Sequence, residues 1–89
     1  MLNIKCICIN DSFRPEDLPI SRWIKSGVEY TIIQIDYMNA QNRILGCKLA
    51  EINNDDMFPY TYFKLTRFAI KIDSDKELVN ERILELENK

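Results

Sequence analysis

The sequence contains no histidine. That absence removes the imidazole on which Ser-His-Asp and Cys-His nucleophiles depend, a principal zinc ligand, and the one side chain that titrates near neutrality unperturbed. Most familiar hydrolase mechanisms are thereby excluded. The remaining routes are carboxylate pairs, a lysine of depressed pKa or a cysteine thiolate, each needing burial or a charged neighbour. Glycine (two) and proline (three) are scarce, which argues against a disordered linker or a fibrous repeat. No apolar run approaches the ~20 residues of a spanning helix. The first apolar stretch, Ile4 to Ile9, is interrupted by Lys5 and lacks a small-residue cleavage pattern after it, so it does not read as a signal peptide. Three cysteines, an odd number, speak against a secreted disulfide framework. The expectation is a soluble, cytoplasmic protein without a membrane segment.

A basic excess is also lacking. The 12 Lys and Arg residues face 14 Asp and Glu, for a formal charge of -2. Residues Met1 to Ile72 carry 9 basic and 8 acidic groups, whereas Asp73 to Lys89 carry 3 basic and 6 acidic. Neither part has the basic stripe that binding to a phosphate backbone requires. Lys64, Arg67 and Lys71 come nearest to a cluster, and alternating strand and turn positions spread them apart. They read as solvated or paired charges.

What is present suits one small globular domain of 89 residues, 46% of them hydrophobic. A chain of this size buries only ~60% of the surface it exposes when unfolded, so most apolar side chains must be engaged in packing. Ile4 to Ile9 is rich in β-branched residues and reads as a first, largely buried strand. Arg14 to Leu18 looks like a single helical turn, with Pro15 at its first position and Pro19 as its stop. Ser26-Gly27 launches a second strand in which Val28, Tyr30 and Ile32 share a face. Ile33 and Ile35 then fall on the opposite face, and such a slip of phase predicts a bulge or strong bend. Met38 to Asn42 predicts a hairpin connection, and Ile44 to Glu51 a return strand with Leu45, Cys47 and Leu49 inward and Gly46 and Lys48 outward. Asn53 to Asp56 is a loop, and Pro59 keeps Met57 to Tyr60 out of a strand. A short element around Tyr62 to Leu65 precedes a last strand with Phe68, Ile70 and Ile72 facing in. Five short strands and one helical turn predict a mainly β fold, a small and strongly bent barrel spanning residues 1–72.

Residues 73–89 change period. Ser74-Asp75-Lys76-Glu77 matches a capping box, predicting an acidic amphipathic helix from Asp75 to about Asn88. Leu78, Val79, Ile83 and Leu86 would form its apolar stripe. That stripe either docks on its own barrel, frays, or joins a partner chain as a homo-oligomer contact.

The succession Lys25-Ser26-Gly27-Val28-Glu29-Tyr30-Thr31-Ile32, Gly46-Cys47-Lys48-Leu49-Ala50-Glu51-Ile52, Phe63 and Thr66-Arg67-Phe68-Ala69-Ile70 resembles a family of small uncharacterised proteins of bacterial and phage genomes. The resemblance covers roughly Ile4 to Ile72. It implies an SH3-like five-stranded barrel and an origin in a phage or other mobile element. Its motifs are structural and imply no activity. Physically, Gly27 suits a turn needing positive φ, Tyr30 buries its ring while its hydroxyl finds a partner, and Glu51 with Arg67 predicts an ion pair fixing the last strand's register.

Three constellations could carry chemistry. Cys6 and Cys8 share a strand face and, with Cys47, could offer thiolates to a metal, but no fourth ligand is evident and cysteine also serves as a small core residue. No metal and no cofactor are expected. The adjacent carboxylates Asp55-Asp56 and Glu16-Asp17 diverge and read as solvated turns. Aromatic residues crowd Phe58 to Phe63, with Phe13, Trp23 and Tyr37 in loops or at strand ends. They either close the ends of the core or form a partner-binding patch of Trp23, Tyr37, Tyr60 and Tyr62. The expectation is a non-enzymatic module binding a protein or peptide. Its rival is a nucleic-acid accessory role, which the charge balance disfavours.

Overall fold

The computed structural model describes residues 2–39 and 43–88. Five strands, β1 (Ile4–Cys8), β2 (Glu29–Asn39), β3 (Ile44–Leu49), β4 (Phe63–Lys64) and β5 (Phe68–Ile70), precede one helix, α1 (Asp73–Glu87). They form one antiparallel sheet in the order β4-β3-β2-β1-β5. Alternation of side chains explains its core face. Cys6 lies between Tyr30 and Ile70, Cys8 opposite Phe68, and Cys47 between Ile35 and Phe63. The register of β2 against β3 shifts between Ile32 and Gln34, where the sequence pattern slips. Tyr30 and Ile32 therefore face the core before the shift and Ile35 after it, and the extra residue bends the strand.

The described sheet is open, which corrects the expectation of a closed barrel. A 3₁₀ turn over Leu65–Arg67 leads from β4 straight into β5, and the Phe68 N–H donates to the Leu65 carbonyl within it. The turn passes the chain from one edge of the sheet to the other, and no register pairs β4 with β5 among the described residues. Other boundaries also move. The Pro15–Leu18 segment is one turn closed by the Leu18 N–H on the Pro15 carbonyl (3.1 Å), and the 3₁₀ segment lies beyond Pro19 at Ile20–Arg22. Ile72 is half exposed, not inward, because the chain has left the strand there. Gly46, expected outward, is buried. The tip of the predicted hairpin, Ala40 to Asn42, lies outside the described residues.

The helix begins two residues earlier than the capping box predicts. Ile72, two residues beyond β5, is its N-cap in extended backbone, and no side chain caps it. Its carbonyl accepts from the Asp75 and Lys76 amides (3.0 and 3.1 Å), so Ser74 lies inside the first turn. Asp73 and Asp75 place negative charge at the positive end of the helix dipole. The helix packs against β2 and β5, with Val79 and Leu86 buried and Ile83 half-buried against the sheet core. Arg82 locks this docking, its Nε donating to the Ile35 carbonyl (3.0 Å) while the guanidinium lies 3.9 Å from Asp36. Leu78 sits off the docked stripe and is 45% exposed. Among the described residues, no helix is long and apolar enough to cross a membrane.

Candidate functional site

The arm between β1 and β2, residues 9–28, borders an aromatic concavity. Its base is zipped by Cys8 N–H to Val28 carbonyl (2.9 Å) and Gly27 N–H to Cys8 carbonyl (2.8 Å). Gly27 holds φ +86°, which a residue with a Cβ adopts poorly. Ile9 N–H reaches the Arg67 carbonyl (2.8 Å), so the arm lies along the turn that joins β4 to β5. Trp23 is fixed at both ends. Its Nε1–H donates to the Asp11 carbonyl (2.7 Å), and its ring lies 5.5 Å from that of Phe63. Phe63 in turn meets Phe68 edge-on, and Phe68 meets Tyr30 edge-on, so a run of tilted and edge-to-face rings leads from the sheet core to the surface. Tyr30 completes the chain by accepting from the Lys25 amide (2.9 Å).

Between the arm and the sheet lies a cleft of about 120 Å³. Trp23, Tyr60 and Tyr62 of the expected aromatic patch all line it. Tyr37 does not. It follows the bulge on the core side of β2, packs against the sheet core, and lies beneath the Arg43 guanidinium (5.4 Å) near Leu45 and Glu87. The alternation after the phase slip sends its neighbour Met38 to the cleft instead. Met38 and Tyr62 cover Gly46 there, and a Cβ at that position would collide with Met38 Cγ. Tyr62 is oriented by Gln34, whose Nε2–H donates to its hydroxyl (3.0 Å), and by the Lys48 ammonium 5.0 Å above its ring. Asp55 accepts from Lys48 at 2.7 Å and holds that ammonium above its ordinary pKa.

Phe13 stands at the cleft mouth with 90% of its surface exposed and φ +65°. The left-handed region costs a residue with a side chain about 1–2 kcal/mol, so the arm holds an exposed ring in an unfavoured backbone state. Phe13, Met38 and Arg67 are lining residues that the sequence reading left outside the patch. The tandem of Phe13 with Pro15 in a polar segment was the one local signal for the first. For the others only the strand pairing supplies it.

Arg67 is not the partner of Glu51. Its guanidinium stacks on Trp23 (5.0 Å) and donates to the Asn10 carbonyl (3.1 Å). Glu51 accepts from both the backbone N–H and the hydroxyl of Thr31 (2.8 Å each), because β3 delivers it beside the β2 bulge.

The other constellations resolve differently. All three cysteines are buried, and burial, with the nearby charge of Glu51, pushes the Cys6 thiol up to about 12. Burial raises Cys8 and Cys47 as well. Among the described residues, no cluster of three or more His, Cys, Asp or Glu is placed to hold a metal ion. The Asn53–Asp56 loop is less solvated than expected. Asn54 is buried and donates to the Arg22 carbonyl (3.1 Å), while Arg22 donates to the Asn53 carbonyl (2.9 Å) and pairs with Asp56 (2.8 Å). Glu16 and Asp17 are exposed. No family model matches the chain, and no curated protein or solved structure matches it significantly.

Proposed function

We propose that the chain is a non-enzymatic binding module of the SH3-like kind, whose aromatic cleft docks an extended segment of another protein. One observation carries this reading. Trp23, Tyr60 and Tyr62, from segments far apart in sequence, converge on a single cleft with the exposed ring of Phe13 at its mouth. Rigid aromatic walls bury area at little loss of side-chain entropy, which suits them to extended peptide. The strand order, the long bent β2 and the 3₁₀ turn joining β4 to β5 support the SH3-like reading. On the same reading the chain belongs with the small bacterial and phage proteins its motifs resemble, and it acts in the cytoplasm.

Selection of short random peptides displayed on a surface tests the proposal. Enriched peptides are expected to shift the amide resonances of Phe13, Trp23, Tyr60 and Tyr62, and a folded Trp23→Ala/Tyr62→Ala double variant is expected to lose them. Binding that persists undiminished in that folded double variant refutes the cleft as the docking site.

A further inference from the structure

The walls of the cleft are aromatic, but its charge is of one sign. Lys64 and Arg67 line it, and no carboxylate does. Elsewhere on the described surface Arg22, Lys48, Lys71, Lys76 and Arg82 pair with carboxylates, whereas Lys5, Lys25 and Arg43 are exposed away from the cleft without an ion pair among the described residues. Lys64 makes no ion pair among the described residues, and Arg67 is held by a ring and a neutral carbonyl. The acidic residues of the arm lie outside the cleft lining. Asp11 accepts from the Ser26 amide (2.9 Å) and borders the hollow beneath Ile20 and Ile24. Glu16 and Asp17 are exposed in the Pro15–Leu18 turn and do not line the cleft.

Resting on the reading of the cleft as a peptide-docking site, we infer that its partner is an acidic linear segment. One bulky apolar or aromatic side chain enters between Trp23 and Tyr62, and flanking Asp or Glu residues lie against Lys64 and Arg67. The cleft measures about 120 Å³, somewhat less than the ~150 Å³ closed cavity that admits a benzene ring, and its open mouth leaves room for the rest of a bulky side chain. The electrostatics agree as well. Low-dielectric aromatic walls strengthen the field of nearby charges, and complementary charge sets the choice among otherwise similar partners. Arg67 keeps guanidinium N–H groups beyond the one on Asn10, and these can accept a carboxylate in a planar, hydrogen-bonded geometry.

Trp23 is the single tryptophan of the chain, so its fluorescence reports occupancy directly. The full chain is titrated with tryptophan-free peptides sharing one Pro-Leu-Phe-Pro centre and flanked by glutamates, glutamines or lysines, and with a single-stranded oligonucleotide. The glutamate-flanked peptide is expected to bind about tenfold more tightly than the lysine-flanked one at low salt, with the gap closing at high salt. Lys64→Glu, which alters an exposed residue without an ion pair, is expected to reduce that preference several-fold. A folded Lys64→Glu/Arg67→Glu variant is expected to invert it. Equal binding of the three peptides, or tighter binding of the lysine-flanked one, overturns the inference and leaves the docking cleft standing. Failure of every peptide to alter Trp23 overturns both readings. Tighter binding of the oligonucleotide overturns the acidic partner in favour of a nucleic-acid role.

Discussion

Cys6 occupies the middle of the core, paired in register with Tyr30 and Ile70, and its thiol donates to the Tyr30 carbonyl (3.5 Å). An ionised sulfur there would lose its hydration without gaining a cation, so burial favours the protonated form. The sign of the pH effect follows. Cys6 has an ordinary value of 9.0 and is pushed up to about 12 in the fold, so its contribution to stability is complete below pH 9 and declines as pH rises toward 12. At mildly alkaline pH a thiol-specific reagent is expected to leave the native protein untouched and to modify three cysteines in the unfolded chain. The native reaction should then proceed at the rate of global opening. Modification at the rate of a free thiol would show that these residues are not core.

At the scale of elements, α1 separates what periodicity predicts from what docking requires. The helical period of residues 73–89 was visible, but Leu78 and Val79 both fitted the apolar stripe. Only the position of the sheet decides between neighbours 100° apart, and it takes Val79, Ile83 and Leu86. The start of the helix was misplaced for a similar reason. A capping box describes a free helix end, whereas here only Lys71 and Ile72 separate β5 from the helix and Ile72 supplies its carbonyl to the first turn. Leu86 is 2% exposed, so Leu86→Ala is expected to cost about 2–4 kcal/mol through lost transfer energy and a residual cavity. Leu78→Ala is expected to change stability by no more than about 0.5 kcal/mol. Urea unfolding of the two variants measures the contrast, and equal effects would mean that the helix does not dock as described.

For the molecule as a whole, ion pairs tie together segments that the sheet alone does not join. Arg22 links the arm to the Asn53–Asp56 loop, and Lys71 links the end of β5 to Glu29 at the start of β2 (2.9 Å). The hydrogen-bonded Arg22 guanidinium holds the Asp56 carboxyl below the usual carboxylate range, and Lys71 does the same to Glu29. Both depressions mean stability that is present at neutral pH, persists down to about pH 4, and is lost as pH falls through the lowered values. All four side chains are at least partly in solvent, so screening keeps the effect modest. The urea midpoint of Asp56→Asn is expected to fall less between neutral and strongly acidic pH than that of the unsubstituted chain. An identical acid loss would show that the Arg22–Asp56 tie does not contribute.

The sequence by itself determined which side chains can be core. Period-two alternation marked Cys47, Leu49 and Phe68, and the slip after Ile32 marked the bulge, because pleat is a property of a few consecutive residues. Ile4 to Ile9 is apolar on both faces apart from Lys5, and only the fold separates buried Ile4, Cys6 and Cys8 from exposed Ile9. The lack of histidine likewise restricted the available chemistry without reference to any fold. The tertiary structure decided everything that depends on convergence. It left the sheet open, parted Tyr37 from Trp23, brought Phe13 and Met38 to the cleft, and gave Glu51 to Thr31 and Arg67 to Trp23. Each of these outcomes depends on strand register and on the path of the 9–28 arm, which long-range packing sets and which no local pattern encodes.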